Sequence, residues 1–330
     1  MTSISQKVRK ALPAALAATM LGSAVLAAAP AQAAGTTPST TTNVPADVRK
    51  LAEDVREQKK TAITQGKLDK VGGRSVGAKS HFLEGSWNGD SKADLLATKP
   101  NGDAFVYYSK GTSFEKAKFW DNVPDVNVLK QVGDLDDDGY IDLLYRTTDG
   151  YIFTDALHPD NAEWFSSGWG GFKNLNVPGD VTGDGKADLV ANDTAGNFYM
   201  WRGNGNGTFG ARNLIGSGWG KYTTIGRGDY SGDKKPDLLA RDGVGNLWMY
   251  KGTGRSELPF KSRVLVGSGW NFTAYVSTGD MTGDSISDFL VRDSKGTLYV
   301  YPGRGSETVP FKTSQRVTIG GGWNAFSHFG

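Results

Sequence analysis

The chain contains no cysteine. No disulfide can staple it, no thiolate can act as a nucleophile, and sulfur-ligated zinc sites are excluded. Histidine is almost as scarce. His81, His158 and His328 are scattered and match neither a zinc-ligand spacing nor a triad partner set. There is no H-E-x-x-H, no G-x-S-x-G elbow and no phosphate-binding glycine loop. Glycosidase chemistry would need one carboxyl in an apolar cleft, which a sequence does not display. The chain is therefore expected to be non-catalytic. Neither charge dominates, with 37 basic against 35 acidic residues. No basic patch points to nucleic acid as a partner. Beyond residue 29 no apolar run is long enough to span a bilayer.

The one long apolar run lies at the start. Lys7, Arg9 and Lys10 precede an apolar stretch from Ala11 to Ala29, and Ala31-Gln32-Ala33 follows. Basic start, apolar middle and small-residue end are the parts of a secretory signal over residues 1–33, cut before Ala34. The protein is thus expected to be secreted, with no membrane insertion, and to act as a monomer. Removing the leader takes three basic residues and no acid, moving the formal charge from +2 to −1. Residues 34–76 read as a flexible Thr/Ser/Pro/Gly-rich leader, a helix over about 45–60 and a connector. Pro45 and Asp47 suit a helix start, and Val48, Leu51, Ala52 and Val55 form its apolar stripe. Arg49, Lys50, Glu53, Asp54, Arg56, Glu57, Lys59 and Lys60 are assigned to the charged remainder. Two readings are open for this helix: packing on the next domain, or binding a partner.

From about residue 77 to 330 a unit of near 50 residues repeats. Its clearest copy places short strands at Tyr222–Ile225, Asp237–Arg241, Leu247–Tyr250 and Arg263–Val266, with Gly and Asp/Asn between them. Four strands per period, repeated radially, describe a β-propeller blade. The expected fold is all-β: a propeller of four-stranded blades, five in number with a sixth possible, behind a short N-terminal helix. First strands are expected at residues 80–83, 128–132, 173–177, 222–225 and 273–277. A fragment at 323–330 repeats the start of a unit and stops. It is a candidate for closing the ring from the C-terminus, but Ser80–Leu83 competes for that slot.

Each unit carries one acidic loop, and the closing aspartates Asp94, Asp142, Asp188, Asp237 and Asp288 lie 48, 46, 49 and 51 residues apart. Oxygen ligands at positions 1, 3, 5 and 9 of a tight loop suit a hard cation. Loop two is richest, with Asp134, Asp136, Asp138 and Asp142, the Tyr140 carbonyl and a turn glycine at Gly139. Carboxylates packed this closely repel one another unless a cation joins them. Loop three offers Asp180, Thr182, Asp184 and Asp188, with Lys186 at the place of Tyr140. Loop four offers Asp229, Ser231, Asp233 and Asp237, with Lys234 in place of the turn glycine; loop five offers Asp280, Thr282, Asp284 and Asp288. Loop one keeps Asn88, Asp90 and Asp94, but Ser86 replaces the opening aspartate. Calcium is the expected ion, with affinity falling from loop two to three, then five and four, then one. Magnesium prefers strict, water-rich octahedral sites. Asp and Gly are also ordinary turn formers, so hairpins held without metal are the competing reading.

The run Gly-Asp-x-Thr-Gly-Asp-Gly-x-x-Asp-Leu at Gly179–Leu189 resembles the FG-GAP/VCBS-type repeat. The resemblance extends over roughly 77–330 and implies a calcium-binding propeller of the integrin α kind, with metal between the first two strands of a blade. The recurring Ile/Val-Gly-x-Gly-Trp at Ile215–Trp219, Val266–Trp270 and Ile319–Trp323 is similar to five-bladed tachylectin-type lectins at the blade junctions only.

Aromatic residues recur on the third strand: Phe105, Phe153, Tyr199, Trp248 and Tyr299 at one position, and Tyr107, Trp201, Tyr250 and Tyr301 at another, where Asp155 breaks the series. Trp169, Trp219, Trp270 and Trp323 stand at blade junctions. They either pack blades together or stack on sugar rings. The expected role is an extracellular interaction module for protein or glycan. Alternatives are a modulator of a secreted enzyme such as a protease, acting through the helix, and a lectin or polysaccharide hydrolase.

Overall fold

The computed structural model describes residues 44–68, 85–156, 165–311 and 313–330. The expected signal segment, the leader to residue 43 and the candidate strand Ser80–Leu83 lie outside them. Among the described residues no helix is long and apolar enough to cross a membrane.

The helix α1 spans Ala46–Thr64, four residues past its predicted end. Five four-stranded antiparallel sheets follow. Blade one holds β1 (Leu95–Thr98), β2 (Asp103–Tyr107) and β3 (Lys118–Asn122). Blade two holds β4 (Val126–Gly133), β5 (Asp142–Thr147), β6 (Ile152–Thr154) and β7 (Phe165–Ser166). Blade three holds β8 (Phe172–Gly179), β9 (Asp188–Asp193), β10 (Phe198–Gly203) and β11 (Phe209–Gly216). Blade four holds β12 (Thr223–Ile225), β13 (Leu238–Arg241), β14 (Leu247–Tyr250) and β15 (Val264–Gly267). Blade five holds β16 (Ala274–Gly279), β17 (Asp288–Arg292), β18 (Leu298–Tyr301) and β19 (Val317–Gly320), and the chain ends in β20 (His328–Phe329).

Blade one is completed from the far end of the chain. β20 pairs antiparallel with β1, Ala97 opposite Phe329 and Thr98 opposite His328. Ser327 N donates to Thr98 O at 2.8 Å and Gly330 N to Leu96 O at 3.0 Å, lengthening the zipper by one bond on each side. The fragment at 323–330 is thus the inner strand of blade one and not the start of a sixth blade. β20 fills the slot for which Ser80–Leu83 competed. Closure removes the open inner edge of β1, which would otherwise present unpaired backbone groups.

The inner strands β4, β8, β12, β16 and β20 surround a narrow central channel. Its volume of about 20 Å³ is room for roughly one water. No organic ligand fits there.

Apolar residues form five clusters, one for each contact between neighbouring blades. Four contacts share one wedge. Trp169 leaves blade two and meets Trp201 of blade three with ring centroids 4.6 Å apart. Trp219 meets Tyr250 at 4.9 Å, Trp270 meets Tyr301 at 4.8 Å, and Trp323 meets Tyr107 at 4.7 Å. The left-handed glycine before each, such as Gly218 at φ 80°, turns the chain so that the indole points inward. Each Trp backbone N–H then donates to a hairpin glycine carbonyl, as Trp219 N does to Gly196 O at 2.9 Å.

The contact between blades one and two is built differently. Blade one has no Gly-x-Gly-Trp after its last strand, and blade two has Asp155 where its neighbours carry an aromatic ring. Helix α1 fills the gap. Val48, Ala52 and Val55 join Leu96, Val106, Leu143 and Phe153 in a single cluster. The buried stripe continues through Lys59 and Ala62. Lys59, expected on the charged outer face, is instead fully buried, because the stripe runs on at helical spacing for another turn.

Candidate metal loops and blade junctions

In blades two to five the acidic loop joins the first strand to the second; in blade one it leads into β1. Two positions in every loop have left-handed backbone. Position six does so at Gly139 and Gly185, and also at Ser91, Lys234 and Ser285, with φ from 65° to 87°. Position four does so at Gly89, Asp137, Gly183, Gly232 and Gly283. The second of these was legible as a glycine in four of five copies. At Gly183 a Cβ would lie 2.3 Å from the Gly254 carbonyl oxygen, so the loop's close approach to the next blade also demands glycine.

The closing aspartate braces its blade. Asp188 Oδ2 accepts Val181 N and Thr182 N, both at 3.0 Å, while Oδ1 accepts Gly203 N at 3.1 Å. Asp237 repeats this with Tyr230, Ser231 and Gly252, and Asp288 with Thr282 and Gly303. Asp94 accepts Trp87 N and Ser109 N, each at 2.7 Å. One carboxylate thus ties the loop to the end of the third strand. Burial pushes Asp94, Asp188, Asp237 and Asp288 up to about 7, against amide donors that pull them down.

The opening aspartate of loops three to five knits the loop itself. Asp180 Oδ1 accepts Gly183 N at 2.6 Å and Asp184 N at 3.1 Å, and Oδ2 accepts Gly185 N at 2.7 Å. Asp229 and Asp280 do the same in their loops. Thr182, Ser231 and Thr282 turn toward these carboxylates at 3.4–3.5 Å. Asp184, Asp233 and Asp284 each accept the amide two residues on, from Lys186, Lys235 and Ile286. In loop one the Ser86 hydroxyl takes the opening place, 3.0 Å from Asn88 Oδ1 and 3.3 Å from Asp90 Oδ1.

Loop two differs. Asp134, Asp136 and Asp138 each bring an oxygen within 4.8 Å of the others, the one such convergence of three acidic or metal-ligating side chains among the described residues. Asp134 and Asp136 are buried and Asp138 half-buried. An all-oxygen, triply anionic donor set fits a hard divalent cation. The Tyr140 amide accepts no share of this role: it donates to Asp138 Oδ1 at 2.7 Å, leaving Tyr140's carbonyl as the fourth candidate. A 220 Å³ pocket opens between loops two and three, bordered by Asp134, Asp137, Asp184 and Lys186.

Asp142 does not join that convergence. Its Oδ2 accepts Leu135 N at 2.6 Å, and its Oδ1 is held by Lys59 Nζ in a fully buried ion pair. Lys59 Nζ also lies 4.0 Å from Asp155 Oδ1, which accepts Leu143 N at 2.7 Å. Burial works to lower the Lys59 pKa, but the Asp142, Asp155 and Asp138 carboxylates outweigh it and keep the ammonium charged. Burial likewise pushes the Asp142 carboxyl up while Lys59 pulls it down. Asp155 was missed as a functional residue; its signal was the break in the aromatic series.

The four junction tryptophans, candidates for stacking on a glycan, are all buried, Trp169 at 2%, Trp219 at 0%, Trp270 at 3% and Trp323 at 7% exposure. With both faces covered by neighbouring rings and strands, they pack blades and offer no platform to a sugar. The third-strand aromatics are covered in part by cations of the outer strand. Arg263 lies 4.0 Å over Trp248, Arg316 4.4 Å over Tyr299 and Arg212 5.0 Å over Tyr199.

A family model described as FG-GAP-like repeat matches residues 180–240 and 229–291, and both matches begin at an opening aspartate. The chain is a five-bladed β-propeller, and the stretch 180–291 within it consists of FG-GAP-like repeats. No curated protein matches the chain. Among solved structures it is similar to the crystal structure of BBS1N in complex with ARL6DN, soaked with mercury. The two are 15% identical, with a TM-score of 0.36, over 68% of this chain and 63% of that one.

Proposed function

We propose that this protein is a secreted, non-catalytic interaction module whose propeller binds calcium, first of all at loop two. The observation that carries the calcium reading is the convergence of Asp134, Asp136 and Asp138. These three carboxylates and the Tyr140 carbonyl would hold the ion. Bound there, calcium would offset their mutual repulsion and fix the turn between β4 and β5. The lack of cysteine, of a histidine set and of nucleophile motifs supports a binding role over catalysis.

The partner, an extracellular protein or glycan, is assigned to the outer rim. Phe119 on β3, Leu214 on β11 and Leu265 on β15 expose large apolar side chains on the outermost strands. The apolar face of α1 is spent on blades one and two, which disfavours the modulator reading in which that face grips a second protein.

The test is thermal melting in calcium and in chelator. An ion that binds only the folded state raises Tm by mass action. Calcium should raise Tm in the native protein, and Asp136→Asn should shrink the rise. A Tm that ignores both calcium and chelator would remove the metal reading, although the propeller would stand.

A further inference from the structure

The most unusual group outside the loops is Lys59, a fully buried lysine brought to loop two by a helix that precedes the propeller. Its ammonium contacts Asp142, the closing residue of that loop, and lies 4.0 Å from Asp155. The acids around it form one electrostatic group. Asp136 acts on both Asp142 and Asp155, and Asp138 acts on Lys59. A second cation is Arg56, whose Nη2 donates to Thr154 O at 3.2 Å and whose charge also reaches Asp155. The residues that would hold calcium and those that hold α1 therefore share a single pool of negative charge.

We propose that Lys59 sets the calcium affinity of loop two, and that calcium at this loop and docking of α1 oppose one another. The proposal rests on the calcium reading given above. A divalent ion among Asp134, Asp136 and Asp138 withdraws the field that retains Lys59 and repels its ammonium directly. In a poorly screened interior that repulsion is strong. The coupling is reciprocal: the factor by which docked α1 weakens calcium is the factor by which calcium weakens docking. In two other loops a lysine reaches the fifth position and not the closing aspartate: Lys251 Nζ lies 3.4 Å from Asp233 and Lys92 Nζ 3.6 Å from Asp90. The closing aspartates of the other four loops meet backbone amides. Coupling of a loop to α1 is thus confined to blade two, where α1 also stands in for the missing junction wedge. Calcium would loosen the one inter-blade contact that lacks the Gly-x-Gly-Trp wedge.

The experiment uses the full chain. Calcium is titrated calorimetrically into native protein and into Lys59→Met and Lys59→Arg. Amide exchange across residues 46–64 is followed in the native protein with and without saturating calcium. Lys59→Met, which keeps the length and removes the charge, should bind calcium at least about tenfold tighter at the site abolished by Asp136→Asn. Lys59→Arg should stay near native. Calcium should speed exchange in the α1 segment of the native protein. Equal or weaker binding by Lys59→Met, or α1 amides better protected in calcium, would overturn the antagonism while leaving the calcium site intact. The exchange arm decides the matter if Lys59→Met does not fold. If the native protein takes up no calcium at all, the site reading falls and the antagonism with it.

Discussion

Replacing Asp237 with alanine isolates the brace at the heart of each blade. The carboxylate is fully buried and accepts Tyr230 N at 3.0 Å, Ser231 N at 2.8 Å and Gly252 N at 3.0 Å. Alanine leaves three buried amide donors without an acceptor, a cost of about 1–3 kcal/mol each. Against this, the substitution removes a desolvated charge. Burial pushes Asp237 from 3.8 up to about 7. By linkage that gap is worth roughly 4 kcal/mol above pH 7. The net loss at pH 8 is therefore about 2 kcal/mol. The sign with pH follows from the raised value. The native carboxyl takes up a proton more readily folded than unfolded, so native stability rises as pH falls from about 7 toward 4. The alanine variant has no such group. The difference between the two should grow to about 4–5 kcal/mol at pH 5. Urea unfolding followed by tryptophan fluorescence, in chelator at both pH values, measures it. A difference that shrinks on acidification would refute the claim that desolvation dominates this carboxylate. No difference at either pH would refute the brace.

Three further outcomes follow from the fold. Lys59→Met should cost about 3–5 kcal/mol, because it strands Asp142 and Asp155 in the interior; the loss should lessen toward pH 5 as those carboxyls take up protons, and urea midpoints across that range would show it. Trp219→Ala, which empties the space between Phe198 and Tyr250, should cost about 3–5 kcal/mol in the same assay and leave calcium uptake unchanged. Asp138→Ala should weaken the tightest calcium site, whereas Asp90→Ala, in the loop where Ser86 replaces the opening aspartate, should barely change the titration curve.

The blades were legible because their signals are local and repeated. Each loop spacing, strand and Gly-x-Gly-Trp turn occurs within one unit, so a period near 50 residues exposes them together. The helix was legible through its first apolar residues. What escaped was the long-range pairing. Nothing local distinguishes β20 from Ser80–Leu83 as the inner strand of blade one. Lys59 read as surface because lysine ordinarily is, and its acid partners lie 83 and about 96 residues away. The tryptophan question turned on burial, which rings in neighbouring blades decide. Loop two's distinct geometry was foreshadowed by its acid content, but the removal of Asp142 from the convergence depends on a helix outside the repeat.

The most direct test is a crystal structure grown in calcium, with anomalous scattering to locate the ion. The account predicts a peak among Asp134, Asp136 and Asp138 with oxygen distances of about 2.3–2.6 Å, including the Tyr140 carbonyl. Asp142 should remain outside that shell. A saturated crystal with no peak at loop two, or one in which Asp142 has left Lys59 to ligate the ion, would contradict it.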